Sequence, residues 1–120
     1  MNLNDTIEKY KHLTEVCART NYAEKNSVKK HNQSVKMMYE IVNSLLEKYG
    51  ENGVVEFEKL LLVKENKTNV WASVHLLEKL NPEKEAEKEA LKIIREISKG
   101  KDTDALGFQY WLKNWEAKQK

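Results

Sequence analysis

Apolar residues recur at helical spacing along almost the whole chain, and no segment alternates apolar with polar positions as a half-buried strand would. This pattern restricts the fold to helices that each bury one stripe. Four glycines and one proline are the only strong punctuation, so long irregular loops are not expected. A chain of 120 residues fits one domain and buries roughly two-thirds of its unfolded surface, enough for its own core. The expected fold class is therefore all-α, with about six helices in residues 1–120.

In the first helix, Asn4-Asp5-Thr6 is placed as the cap, and Ile7, Tyr10, Leu13, Val16 or Cys17, and Thr20 form the inward stripe. A second helix is predicted over about 27–49, with Val28, Val35, Met38, Val42, Leu45 and Leu46 inward and Gly50 as a left-handed stop. Asn52-Gly53 opens a shorter third helix carrying Val54, Val55, Phe57, Leu60 and Leu61, which ends near Glu65. The fourth follows "ENKTN", where Thr68 or Asn69 is available to cap the first turn. Asn81-Pro82 makes a corner, because proline disfavours helix in the residue before it and suits the first turn after it. Glu83, Glu85 and Glu87 oppose the dipole of a fifth helix, which carries Ala86, Ala90, Leu91, Ile94 and Ile97 and ends at Lys99-Gly100. A sixth spans "KDTDALGFQYWLKNWEAKQK", with Leu106 or Phe108, Leu112 and Trp115 inward and a basic, frayed end at Lys118-Gln119-Lys120.

Helices three and four, and five and six, are expected to pair antiparallel. Val70, Val74 and Leu77 match Phe108, Leu112 and Trp115 at a constant offset of 38 residues, within the range of HEAT or armadillo repeats. "LLLVKENKTNVWASVHLLEKLNPEKEAEKEALKII" followed by "GFQYWLKNW" resembles a small bacterial family of unknown function with HEAT-like helical pairs. The features that carry the resemblance are Leu60 to Val63, Val70, Ser73, His75, Leu76, Leu77, Pro82 and Trp115. HEAT-like helices usually carry Arg after the Val, where this chain has Trp71, and a corner Asp, where it has the Asn66 to Asn69 region. The resemblance implies a curved stack of helical pairs: an N-terminal hairpin over 1–50, then two HEAT-like pairs over 51–118. It implies no catalytic activity, and by analogy of fold an immunity-type partner of another bacterial protein.

The net charge of +2 comes from 21 basic and 19 acidic residues, a near balance that supplies no general field for nucleic acid or anionic lipid. The single cysteine, Cys17, has no internal partner, and "MNLNDTIEKYKHL" has no basic segment followed by an apolar run. A cytoplasmic protein without a leader or membrane span is expected. The residues three before His12, His31 and His75 are Lys9, Val28 and Ala72, so no Glu-x-x-His metal pattern is present. Glu8, His12 and Glu15 share one helix face and read as a solvated, salt-bridged surface. Gly50 and Gly53 bracket a corner and not a phosphate loop, and Cys17 reads as a buried structural thiol. No catalytic group, cofactor or metal is assigned.

The candidate partner-binding residues are Trp71, His75 and Glu78 on the fourth helix, with Gln109, Trp111 and Lys113 near the equivalent positions of the sixth. In a helical-repeat stack the second helix of each pair lines the concave surface. Trp71 has two open placements: on that surface as a protein contact, or as core covering the N-terminal helices. Another protein is the expected partner. A competing possibility is nucleic acid, bound through Lys29, Lys30 and Lys36, or through Trp111 and Trp115 interleaved with Lys113, Lys118 and Lys120.

Overall fold

The computed structural model describes residues 2–118, and these form an all-helical protein with no strand among the described residues. The predicted Gln119 and Lys120 of the basic tail lie outside them. The helices are α1 (Leu3–Ala18), α2 (Lys25–Glu58), α3 (Thr68–His75), α4 (Lys84–Ser98) and α5 (Thr103–Lys118). Five α-helices stand where about six were expected, because the second and third predicted helices form one element broken at Gly50. Gly50 has φ 62° and ψ −150°, a conformation essentially reserved for glycine. The break folds the short arm 51–58 against the end of the long arm 25–49. There Gly53 lies so close that an added Cβ would sit 2.9 Å from the Leu45 carbonyl oxygen.

Several local expectations change in detail. Asn2, not Asn4 to Thr6, caps α1: its Oδ1 accepts the Asp5 backbone N–H at 2.8 Å. Thr6 is freed to turn inward, where its hydroxyl donates to the Asn2 carbonyl and meets the Tyr49 hydroxyl. Neither Thr68 nor Asn69 caps α3 through its side chain. Asn66 and Lys67 adopt left-handed backbone, and that corner lets the Val63 carbonyl accept the Asn69 N–H at 2.8 Å. Thr68 is left to face α1, where its hydroxyl meets that of Thr14 at 2.7 Å. At the proline corner Asn81 is left-handed (φ 50°) and α4 begins two residues after Pro82.

The main core lies between α1, α2 and the start of α3. Tyr10, Leu13 and Cys17 of α1 meet Met38, Val42, Leu45 and Phe57 of α2, and Ala72, Leu76 and Leu80 complete it. Tyr10 packs edge-on to Phe57 with ring centroids 4.9 Å apart. Val70, Val74, Ile94 and Ala105, all buried, belong to the side where α4 packs between α3 and α5. Leu46 and Val55, expected inward, are half exposed or more, because the buried stripe runs through Met38, Val42 and Leu45 on the long arm and through Gly53 and Phe57 on the short one, beside them and not through them. Of the stripe expected on α5, Phe108, Leu112 and Trp115 are only half-buried, and Leu106 is exposed. The offset of 38 therefore matches positions on α3 and α5, while their depths differ: α5 is an edge helix. No helix of the described residues is long and apolar enough to cross a membrane.

A candidate aromatic groove between α3 and α5

Two polar bridges set the relation of α3 and α5. Near their starts Lys67 Nζ donates to Asp104 Oδ2 at 2.7 Å. Further on, Trp111 Nε1 donates to Glu78 Oε1 at 2.6 Å. The two helices therefore run in the same direction with α4 packed against both, and a groove of about 640 Å3 opens between them. Its third wall comes from the turn joining α1 to α2 and from the long arm of α2.

Six rings line it: Tyr22, His31, Tyr39, Trp71, Phe108 and Trp111. The rings continue one another across the wall, Tyr22 to His31 at 5.8 Å and His31 to Trp71 at 6.2 Å between centroids. Charged groups sit toward the ends, with Lys64, Lys67 and Asp104 where α3 begins and Glu78 beyond its C-terminal end. Glu78 lies in a π-helical turn, Leu76–Leu80, which follows α3 directly. This wider turn shifts Glu78 off a regular helical phase. Its second oxygen accepts the Tyr39 hydroxyl at 2.7 Å, so one carboxylate ties α2 to α5 through the floor. Burial, then the hydrogen bond to Glu78 and the charge of that group, hold the Tyr39 phenol well above its ordinary pKa.

The six sequence candidates separate. Trp71, Glu78 and Trp111 come together on the groove wall, and Trp71 is half-buried. Its ring packs on the core and also faces the groove. His75 is a correction: it was expected on the concave surface beside Trp71, but it is completely buried. The docking of α1 and α2 covers that side of α3, which a helical wheel of α3 cannot show. Gln109 bends back to α4, its amide donating to the Ser98 carbonyl at 2.5 Å, and Lys113 is exposed away from the groove.

Beneath the wall, His75 supports Trp71 (centroids 6.0 Å apart) and Tyr39 (4.4 Å). Its Nδ1 lies 2.6 Å from the Tyr10 hydroxyl, and Nε2 has no hydrogen-bond partner among the described residues. A phenol donating to Nδ1 leaves one buried polar atom unsatisfied, Nε2–H. The other tautomer would orphan both the phenol proton and the Nε2 lone pair, so the first is favoured. Burial lowers the His75 pKa from 6.5 to about 4, partly offset by Glu78, and raises that of Tyr10 well above its usual value. Both side chains are neutral near pH 7 and act as framework.

Cys17 lines the inner end of the groove, its thiol pushed up to about 11 by burial. Elsewhere, the α1 face of Glu8, His12 and Glu15 is solvated, with Lys11 and Arg19 bridging Glu8 and Glu15 at 3.5 and 2.9 Å. Among the described residues, no three or more His, Cys, Asp or Glu side chains stand together as a metal site would require. Tyr22, Tyr39 and Phe108 were not anticipated as wall residues. Tyr39 left one sign, its place one position from Met38 on a stripe that leans its ring inward and its hydroxyl outward. No family model matches the chain, and neither does any curated protein or solved structure.

Proposed function

We propose that this protein is a non-catalytic binding module whose groove between α3 and α5 receives an apolar segment of another protein. The observation that carries the reading is the groove itself, an open channel of about 640 Å3 walled by six aromatic rings, among them the half-buried indoles of Trp71 and Trp111. Large aromatic side chains presented by a stiff helical frame are the usual anchors of protein interfaces. A HEAT-like stack of helical pairs in a bacterial cytoplasm is the setting this reading adopts, and the consecutive packing of α3, α4 and α5 supports it. An immunity-type role is one concrete form of it, in which the module masks part of its partner by occupying it.

The test is capture of tagged protein from a native lysate, comparing wild type with Trp111→Ala. One stoichiometric protein, retained by the wild type and lost by a variant that keeps its helical circular dichroism, is the expected result. A second reading has its own observation. Trp111 and Trp115 stack at 6.2 Å with planes 15° apart, beside Lys79 and Lys118. Such a platform suits bases and phosphates of single-stranded nucleic acid. Retention of nucleic acid alone, released steeply by salt, favours that reading and overturns the first.

A further inference from the structure

The groove has a chemical polarity that narrows what it can hold. Glu78 stands at one end, fixed by two donors from opposite walls, the Tyr39 hydroxyl and the Trp111 indole N–H. Those two bonds leave a lone pair on each carboxylate oxygen. Glu78 is exposed and forms no ion pair among the described residues. Tyr39 and Trp111 meet it through their polar edges, and the rings of Trp71 and Phe108 line the same groove. An exposed carboxylate with lone pairs to spare at one end of an apolar, aromatic groove is a receptor for an organic cation.

The other charges of the groove do not cancel this end. Lys67 is already matched by Asp104 at 2.7 Å. Lys64 precedes α3, and Lys67 and Glu78 stand eleven positions apart across α3 and the start of the π turn, roughly 15 Å along the helix. That is about twice the distance over which exposed charges feel each other at physiological salt. Lys79 and Lys118 line a hollow of about 560 Å3 that shares Glu78 and Trp111 with the groove, and neither lies within ion-pair distance of Glu78. Lys79 rests its Nζ 5.9 Å from the centre of the Tyr39 ring, so the chain's own ammonium already uses a ring of this wall.

We propose that the groove takes a peptide segment that presents a lysine or arginine to Glu78 from within an apolar stretch. This rests on the protein-binding reading above and adds the chemistry of the partner. The apolar residues of the segment lie along Trp71 and Phe108, while its cation takes the free lone pairs of Glu78. The near-balanced net charge of +2 supplies no general field, so a preference for a basic partner must come from the groove.

The test uses two blocked amphipathic peptides with the same leucine pattern, one carrying lysine and the other glutamate at its polar positions. Each is titrated into the full chain by calorimetry and tryptophan fluorescence. The lysine peptide should bind about tenfold more tightly, as expected for one charge-assisted hydrogen bond at the groove carboxylate. Glu78→Gln, whose amide oxygen can accept from Trp111 while its NH2 donates to the Tyr39 hydroxyl oxygen, should erase the difference. Equal binding of both peptides by the wild type overturns the proposal and leaves the groove reading standing, as does a preference that survives in Glu78→Gln. Binding of neither peptide overturns both. If tetramethylammonium chloride binds as tightly as the lysine peptide, the occupant is a small cation and the peptide proposal fails.

Discussion

Acidification should loosen this protein through one residue. His75 is held neutral in the fold with a pKa lowered from 6.5 to about 4, chiefly by burial. Unfolded, the same imidazole takes up its proton near 6.5. Between these values the unfolded chain binds more protons than the folded one, so stability falls as pH falls through that window. The loss attributable to His75 is about 2 kcal/mol by pH 5 and about 3 kcal/mol by pH 4, taking the pKa values of 6.5 and about 4. Above pH 7 the contribution is flat. Urea unfolding at constant ionic strength reads this as a midpoint shift of roughly 1 M between pH 7.5 and 5. Carboxylates also titrate toward the lower end, so the control is His75→Gln, which cannot take up a proton and still offers Tyr10 an acceptor. The variant should lose about 2 kcal/mol less than the wild type over the same interval. Parallel pH profiles for the two proteins would refute the argument, because His75 would then be protonated equally in both states.

The glycines should separate by mechanism in urea unfolding. Gly50→Ala is expected to lose about 1–3 kcal/mol to backbone strain alone, since nothing lies within 4 Å of the new Cβ. Gly53→Ala should lose about 1–3 kcal/mol by collision with the Leu45 carbonyl. Gly107→Ala, helical and open on α5, should gain about 0.5–1 kcal/mol. The Cys17 thiol, raised from 9.0 to about 11, should react with a thiol reagent at pH 8 about a hundredfold more slowly in the folded than in the unfolded chain. Trp71→Ala, removing a half-buried ring, should cost about 2 kcal/mol while unfolding stays cooperative; a loss typical of fully buried tryptophan would mark the ring as core and not wall.

The elements most legible in the sequence are those whose causes are local. Gly50 broke α2 where a left-handed stop was expected, and Asn81-Pro82 made its corner, because both act through the backbone of one or two residues. The burial of Tyr10, Met38 and Ile94 followed from helical spacing. His75 was misplaced because the depth of a stripe depends on which helix covers it. Trp71, His75 and Glu78 lie on one side of an ideal helix, yet they are half-buried, buried and exposed. α1 and α2 cover the middle of that stripe, and the π turn at Leu76–Leu80 carries Glu78 out of phase. The groove was only partly legible: the repeat offset pointed to Gln109 and Lys113, which lie off it, while Trp71, Glu78 and the nearby Trp111 do line it, and Tyr22 and Tyr39 reach it from the α1–α2 turn and from α2, distant in sequence.

The hydroxyls of α1 have a consequence in time. Tyr10 finds its partner 65 residues later at His75, and Thr14 finds Thr68 after 54. A ribosome adding roughly 5–20 residues per second leaves the Tyr10 hydroxyl without its imidazole for about 3–13 s. During that interval α1 and the long arm of α2 can pair only through their own apolar stripes, with Tyr10 and Thr14 still hydrated. Closing so long a loop is slow compared with stacking α3, α4 and α5, which are neighbours in the chain. α1, made before its partners, is thus the last to acquire all of them, and its docking is the step that seals His75 away from water.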